Sequence, residues 1–165
     1  MAVEAEEFYA DEVENIIQAG NKLRGDNFKI EIQDCPNLSK LIVACTPVMP
    51  SRHIVETVAG HQGVEINEPG PLKTGGMFPV TFHDGFKGLA FDEYMNWMLE
   101  SVDITKRKTF RVYGNHELGK SNIDVTYFYA FPEMEDADFD AENKTAPMKF
   151  TCNIHFANRR WTKNL

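Results

Sequence analysis

Several things are scarce in this sequence, and each scarcity excludes something. No apolar run approaches the roughly eighteen residues a membrane-spanning helix needs; the longest, Leu41 to Cys45, has five. The first residues are acidic and lack the basic and apolar regions of a secretory signal, so none is expected. Cysteine is sparse. Cys35, Cys45 and Cys152 cannot all pair, and none lies in a CxxC, so they read as buried or incidental thiols of a chain made in a reducing cytoplasm. The five histidines are scattered, with no HExxH and no Cys/His cluster, and no metal is expected. Basic residues are also outnumbered: 17 Lys plus Arg face 25 Asp plus Glu, a formal net charge of −8. That argues against a protein that grips nucleic acid, because such affinity comes mainly from cations set against phosphates.

What is present fits one folded domain over residues 1–165, with an arm at 1–24 and a body at 25–165. The acid is unevenly spread. Residues 1–14 hold six carboxylates and residues 131–142 another six, with no Lys or Arg in either segment. Outside them 17 basic residues face 13 acidic ones, leaving a mildly basic body.

The arm reads as a helix. Asp11 and Glu14 have capping-box spacing, Val13, Ile16 and Ile17 form a stripe, and Gly20 is the stop. From Phe28 the period becomes two, with Phe28, Ile30 and Ile32 opposite Lys29, Glu31 and Gln33. LIVACTPV (41–48) reads as a short buried strand. HIVETV and GVEI, split by a Gly-containing turn, predict a hairpin, and EPGPLKTGG after them an exposed loop. MFPVTFH predicts a strand with Phe78, Val80 and Phe82 on one face. LAFDEYMNWMLESV (89–102) predicts a helix whose stripe of Phe91, Tyr94, Met95, Met98 and Val102 packs on a sheet rather than lining a ligand groove. TFRVY, NIDVTYFYAF (ended by Pro132) and MKFTCNIHFA are further strands. The last sets Met148, Phe150, Cys152, Ile154 and Phe156 against Lys149, Thr151, Asn153 and His155. The expected class is mainly β (α+β): an antiparallel sandwich or barrel with one packed helix, a helical N-terminal arm and a long β-hairpin.

Three motifs invite chemistry. GNHELGKS (114–121) satisfies the phosphate-cradling pattern G-x-x-x-x-G-K-[ST] through Gly114, Gly119, Lys120 and Ser121. A working loop of that kind needs a helix behind it, and the β-branched, aromatic NIDVTYFYAF is no helix. A hairpin turn is therefore expected. Asp136, Asp138 and Asp140 have the opening spacing of a calcium loop, but Ala141 and Pro147 stand where Gly and Glu are required, so an acidic turn is expected. His83 and Asp84, as strand neighbours, point to opposite faces and would not share a proton. No catalytic site and no cofactor are assigned. A small-molecule barrel built on the aromatics Tyr127–Phe131 has no polar constellation to support it.

Several blocks resemble the tail tube proteins of contractile-tailed bacteriophages: ADEVENIIQAGNKLRGDNFKIEI, TPVMPSRHIVETVAGHQGVEI, VTFHDG with FDEYMNWML, and the closing run from IDVTYFYAFPEMEDADFD to FTCNIHFANRRW. The resemblance covers nearly the whole chain in order, with least correspondence over 103–121. It implies a non-enzymatic virion protein, assembled in the host cytoplasm, that forms rings, usually hexameric, stacking into a hollow tube. Its implied partners are copies of itself and the sheath, baseplate and tape-measure proteins, with DNA passing through unread and no membrane involved. Baseplate tube-initiators and the tubes of type VI secretion and contractile injection systems share the implied fold.

On that basis Arg52, His53, Val55, Val58, His61, Val64 and Ile66 of the hairpin are expected to contact neighbouring subunits. Lys29, Glu31, Gln33, Lys149, Thr151, Asn153 and His155 are expected to face the channel or solvent. Glu133, Glu135, Asp136, Asp138, Asp140 and Glu142 form the acidic patch to place.

Overall fold

The computed structural model describes residues 28–59, 63–85, 87–116, 119–138 and 148–162. The expected arm, with its Asp11–Gly20 helix, lies outside the described residues.

Along the chain run β1 (Phe28–Ile32), α1 (Pro36–Leu41), β2 (Ile42–Cys45), β3 (Arg52–Ala59), β4 (Val64–Leu72), β5 (Gly76–His83), α2 (Leu89–Glu100), a 3-10 turn (Ile104–Lys106), β6 (Lys108–His116), β7 (Gly119–Asp138), β8 (Lys149–Phe156) and β9 (Asn158–Trp161). All pairings are antiparallel. The fold is mainly β, as the alternating sequence implies.

β7 organises the body. Its first half pairs with β6, and β6 with β1; its second half pairs with β8, which pairs with β5 and then β2. β8 and β9 follow one another along β7, from Asp138 opposite Lys149 to Val125 opposite Trp161. The chain turns from one sheet to the other near Tyr129, whose φ of +54° lies in the left-handed region. The register shift between Lys108 and Phe110 sits at the same place. Such an irregularity bends a strand and lets it serve two sheets. Pro132 does not end the strand, contrary to the sequence expectation. It occupies β7 opposite Ile154 beyond the stretch that pairs with β6, where one missing ladder donor is tolerated.

The inner faces of the two sheets meet in an aromatic core. Phe78 of β5 lies 5.3 Å from Phe110 and 4.6 Å from Tyr127, and Tyr127 lies 4.7 Å from Phe156. Ile30, Val80, Phe82, Val125, Phe150, Cys152 and Ile154 complete it. The alternation of β5 and β8 is thus realised, except that Met148 precedes β8 and is exposed.

α2 packs on this core, but its buried line is Ala90, Tyr94 and Trp97. Val102, expected in the stripe, lies beyond the helix and is 91% exposed. Trp97 was the residue the stripe missed. It is fully buried and donates Nε1–H to Ala130 O at 3.0 Å, so its polar edge is satisfied while its ring fills the core. α1 was also unexpected: LIVACTPV opens with the end of a helix begun by Pro36. Glu93 of α2 caps it, accepting from Leu38 N at 2.7 Å and from Asn37 N at 3.2 Å. Proline at a first helical position and a carboxylate on free amides are both favourable there.

Candidate assembly surfaces

β3 and β4 form a separate two-stranded sheet. Glu68–Leu72, expected as loop, continue β4 opposite β3. Gly70 permits this. A Cβ there would stand 2.8 Å from His53 O, closer than a carbon can approach a carbonyl oxygen. None of the hairpin's described side chains is buried. Ile54 is 73% exposed, and Leu72, Val64, Ile66 and Val55 are exposed as well. Ladder positions place Val55, Thr57, Ile66 and Val64 on one face, with Arg52 and Leu72 opposed at the root. Arg52 Nη1 donates to Gly70 O across that root. His53 is exposed; the side chain of Val58, and His61 altogether, lie outside the description.

The residues expected to face a channel or solvent fall on the outer faces of different sheets. Lys29 and Glu31 lie on β1 of the first sheet, opposite β6, and Gln33 follows in the turn after it. There Arg111 makes a fork to Asp124, Nε–Oδ1 2.9 Å and Nη2–Oδ2 2.6 Å, and also approaches Glu31 at 3.5 Å. Tyr113 donates its hydroxyl to Glu31 at 2.8 Å, and Lys29 lies 4.0 Å from the same carboxylate. Gln33 accepts from Thr109 N. Asp124 is fully buried although it points away from the core, and its hydrogen bonds raise the affinity of Arg111 for its proton. Burial first, and then the bond to Glu31, push the Tyr113 phenol up. This face is thus a network holding β1, β6 and β7 in register.

On the second sheet, Lys149, Thr151, Asn153 and His155 share their face with the acidic segment, a pairing that no local pattern encodes. β7 puts Glu133 opposite Asn153, and Asp136 opposite Thr151. His155 Nε2 lies 2.6 Å from Glu133, and Asn153 Nδ2 donates to Glu135 at 3.4 Å. Glu133, Glu135 and Asp136 are exposed. Asp138 ends the strand, and Asp140 and Glu142 lie outside the described residues. Asp136 and Asp138 therefore occupy extended β7 rather than the curved loop that calcium spacing needs. Among the described residues no group of three His, Cys, Asp or Glu side chains is placed to hold a metal.

The other motifs resolve structurally. GNHELGKS joins β6 to β7 with Asn115 opposite Lys120 and His116 opposite Gly119, so the strand is followed by its antiparallel partner instead of a helix. Asp84 caps α2, accepting from Ala90 N at 3.3 Å and Phe91 N at 3.0 Å. The aromatics Tyr127–Phe131 diverge: Tyr127 is buried in the core, Tyr129 is exposed at the bend, and Phe131 stacks on His155 at 5.1 Å. Among the described residues no helix is long and apolar enough to cross a membrane.

No protein-family model matches the chain, and no curated protein sequence matches it. Solved structures do. The chain is similar to the tube terminating cap of the anti-feeding prophage (AFP), with a TM-score of 0.64 at 14% identity over 87% of this chain and 93% of that one. It is similar to a component of the extended sheath–tube complex of PVC, an extracellular contractile injection system, with a TM-score of 0.63 at 13% identity over 91% and 97%. A chain of the six-fold symmetrised AFP baseplate aligns with a TM-score of 0.50 at 14% identity over 86% and 95%. The chain therefore has the tail-tube-like fold of contractile injection machines, spanning nearly the full length of each.

Proposed function

We propose that this protein is a structural component of a contractile tail, one that joins copies of itself into rings, hexameric ones, stacking as the hollow inner tube through which DNA is ejected. The observation that carries this reading is the β3–β4 hairpin. Two strands alone are marginal in water, and these bear exposed Ile54, Val55, Val64, Ile66 and Leu72 with nothing from the described chain over them. A neighbouring subunit or the next ring would cover that surface. The shared fold supports the same reading, as does the β7–β8 face. Glu133, Glu135 and Asp136 on a channel wall would repel phosphate rather than bind it. In this reading the chain also meets sheath, baseplate and tape-measure proteins and acts without chemistry or cofactor.

A second reading rests on the likeness to a terminating cap and to a baseplate chain: the same ring could end or initiate a tube instead of forming its length. Negative-stain microscopy of the purified full chain separates the two. Long hollow tubes are expected; isolated rings select the cap or initiator role, and a protein that stays monomeric at high concentration overturns both.

A further inference from the structure

The protruding hairpin leaves and re-enters the body through two connections, 46–51 and 73–75. Lys73 N donates to Ser51 O at 2.9 Å, tying them together. Two side chains of the first sheet then hold main-chain carbonyls in both. Tyr127 donates its hydroxyl to Val48 O at 2.8 Å. Arg159 donates Nη1 to Met49 O at 3.1 Å and Nε to Lys73 O at 2.8 Å. Tyr127 and Arg159 are opposite each other in the β7–β9 ladder, so both project from the sheet's core side. The Arg159 guanidinium stands 5.8 Å from the Phe156 ring. Among the described residues it bonds main-chain carbonyls and no carboxylate.

A guanidinium is a rigid planar fork, so seating two of its edges on two carbonyls fixes those carbonyls relative to one another. Among the described residues the hairpin has no comparable anchor further out. Among the described residues it pairs with no third strand and contributes nothing to the buried core. Its direction is therefore set where it is rooted.

We infer that Arg159 is a positioning residue for assembly: by clamping both roots of the β3–β4 hairpin to β9, it fixes the angle at which the hairpin meets a second copy of this chain. Only the last clause rests on the proposed self-assembly; the clamp belongs to the single chain.

The test compares the full-length wild type with Arg159→Ala and Arg159→Lys by hydrogen exchange and by sedimentation. Exchange over 46–52 and 72–76 should accelerate by about tenfold or more in the Ala variant, because two charge-assisted hydrogen bonds are lost, while the β7–β9 ladder keeps its protection. The concentration needed for self-association should rise by a similar factor. The Lys variant, which can reach one carbonyl at a time, should fall between, and it carries the comparison if the Ala variant does not fold. Unchanged exchange at the roots overturns the clamp. Loosened roots with wild-type association overturn its role in assembly. Lost ladder protection in both variants makes Arg159 a strand-stabilising residue instead. A wild type that never associates overturns the ring reading and this role with it, while root exchange still decides the clamp.

Discussion

Asp84 and Gly70 show how a single residue acquires its role from its surroundings. Asp84 stands beside His83 in the sequence, a pairing that suggests acid–base chemistry, yet its carboxylate accepts amides of α2 and helps start that helix. Gly70 lies in a Pro-Gly-Pro stretch typical of a loop, yet it lets β4 pass against His53. Gly70→Ala should cost about 1–3 kcal/mol of hairpin stability, since the new methyl must displace backbone. Faster amide exchange confined to β3 and β4, with an unchanged melting temperature of the body, is the expected result. Of the three thiols, Cys35 and Cys152 are buried and Cys45 is half-buried. Burial pushes Cys35 up to about 11 and Cys45 and Cys152 up to about 12. The unfolded chain gives up these protons first, so their contribution to stability is complete below about pH 9 and declines as pH rises from there to about 12. At pH 8 an alkylating reagent should leave all three unmodified in the native protein and label them rapidly in denaturant.

Helix α2 and strand β7 were the two elements whose type was plain from sequence and whose use was not. The period of α2 is clear, but the core took the line through Ala90, Tyr94 and Trp97, which shares only Tyr94 with the expected stripe. Trp97→Phe keeps most of the ring and deletes the bond to Ala130 O; a loss of about 1–3 kcal/mol in urea unfolding is expected. Trp97→Ala should cost about 3–5 kcal/mol by leaving a cavity. In β7 the alternation of NIDVTYFYAF identified a strand, and the proline suggested its end. The strand instead bends near Tyr129 and continues on β8 beyond the end of the β6 ladder, where one missing donor at Pro132 is tolerated. Local pattern reports that a segment is extended; it carries no information on which strand lies beside it.

At the scale of the molecule, two patches separated in sequence become one face, and one set of residues is divided between two. Glu133 meets His155 and Glu135 meets Asn153 because β7 and β8 are paired, while Lys29 and Glu31 belong to the other sheet and Gln33 to the turn at its edge. A channel wall built from this chain would therefore draw on one set or the other in any one layer; the acidic face of β7 and β8 is the one favoured here. The hairpin offers the sharper test. Val55→Asp with Ile66→Asp places two charges on its apolar face. These residues are already exposed, so the melting temperature should change by no more than about 2 °C. Self-association measured by sedimentation should weaken by about a hundredfold or more, as burying unpaired charge opposes any closed interface.

By itself the sequence determined the alternating strands, the hairpin, the longer internal helix and the acidic segment before the last strand. Each follows from a local period of side-chain chemistry or from turn residues that allow few backbone conformations. Its resemblance to tube proteins also pointed to the fold that solved structures share with it. Tertiary structure decided what distance along the chain conceals: that Asp124 is buried on an outer face by Arg111, that Glu93 caps α1, and that Arg159 reaches carbonyls 86 and 110 residues away. Those contacts depend on which strands pair and where they bend. Period fixes which side of a strand is apolar, and only the packing of the two sheets fixes what the other side meets.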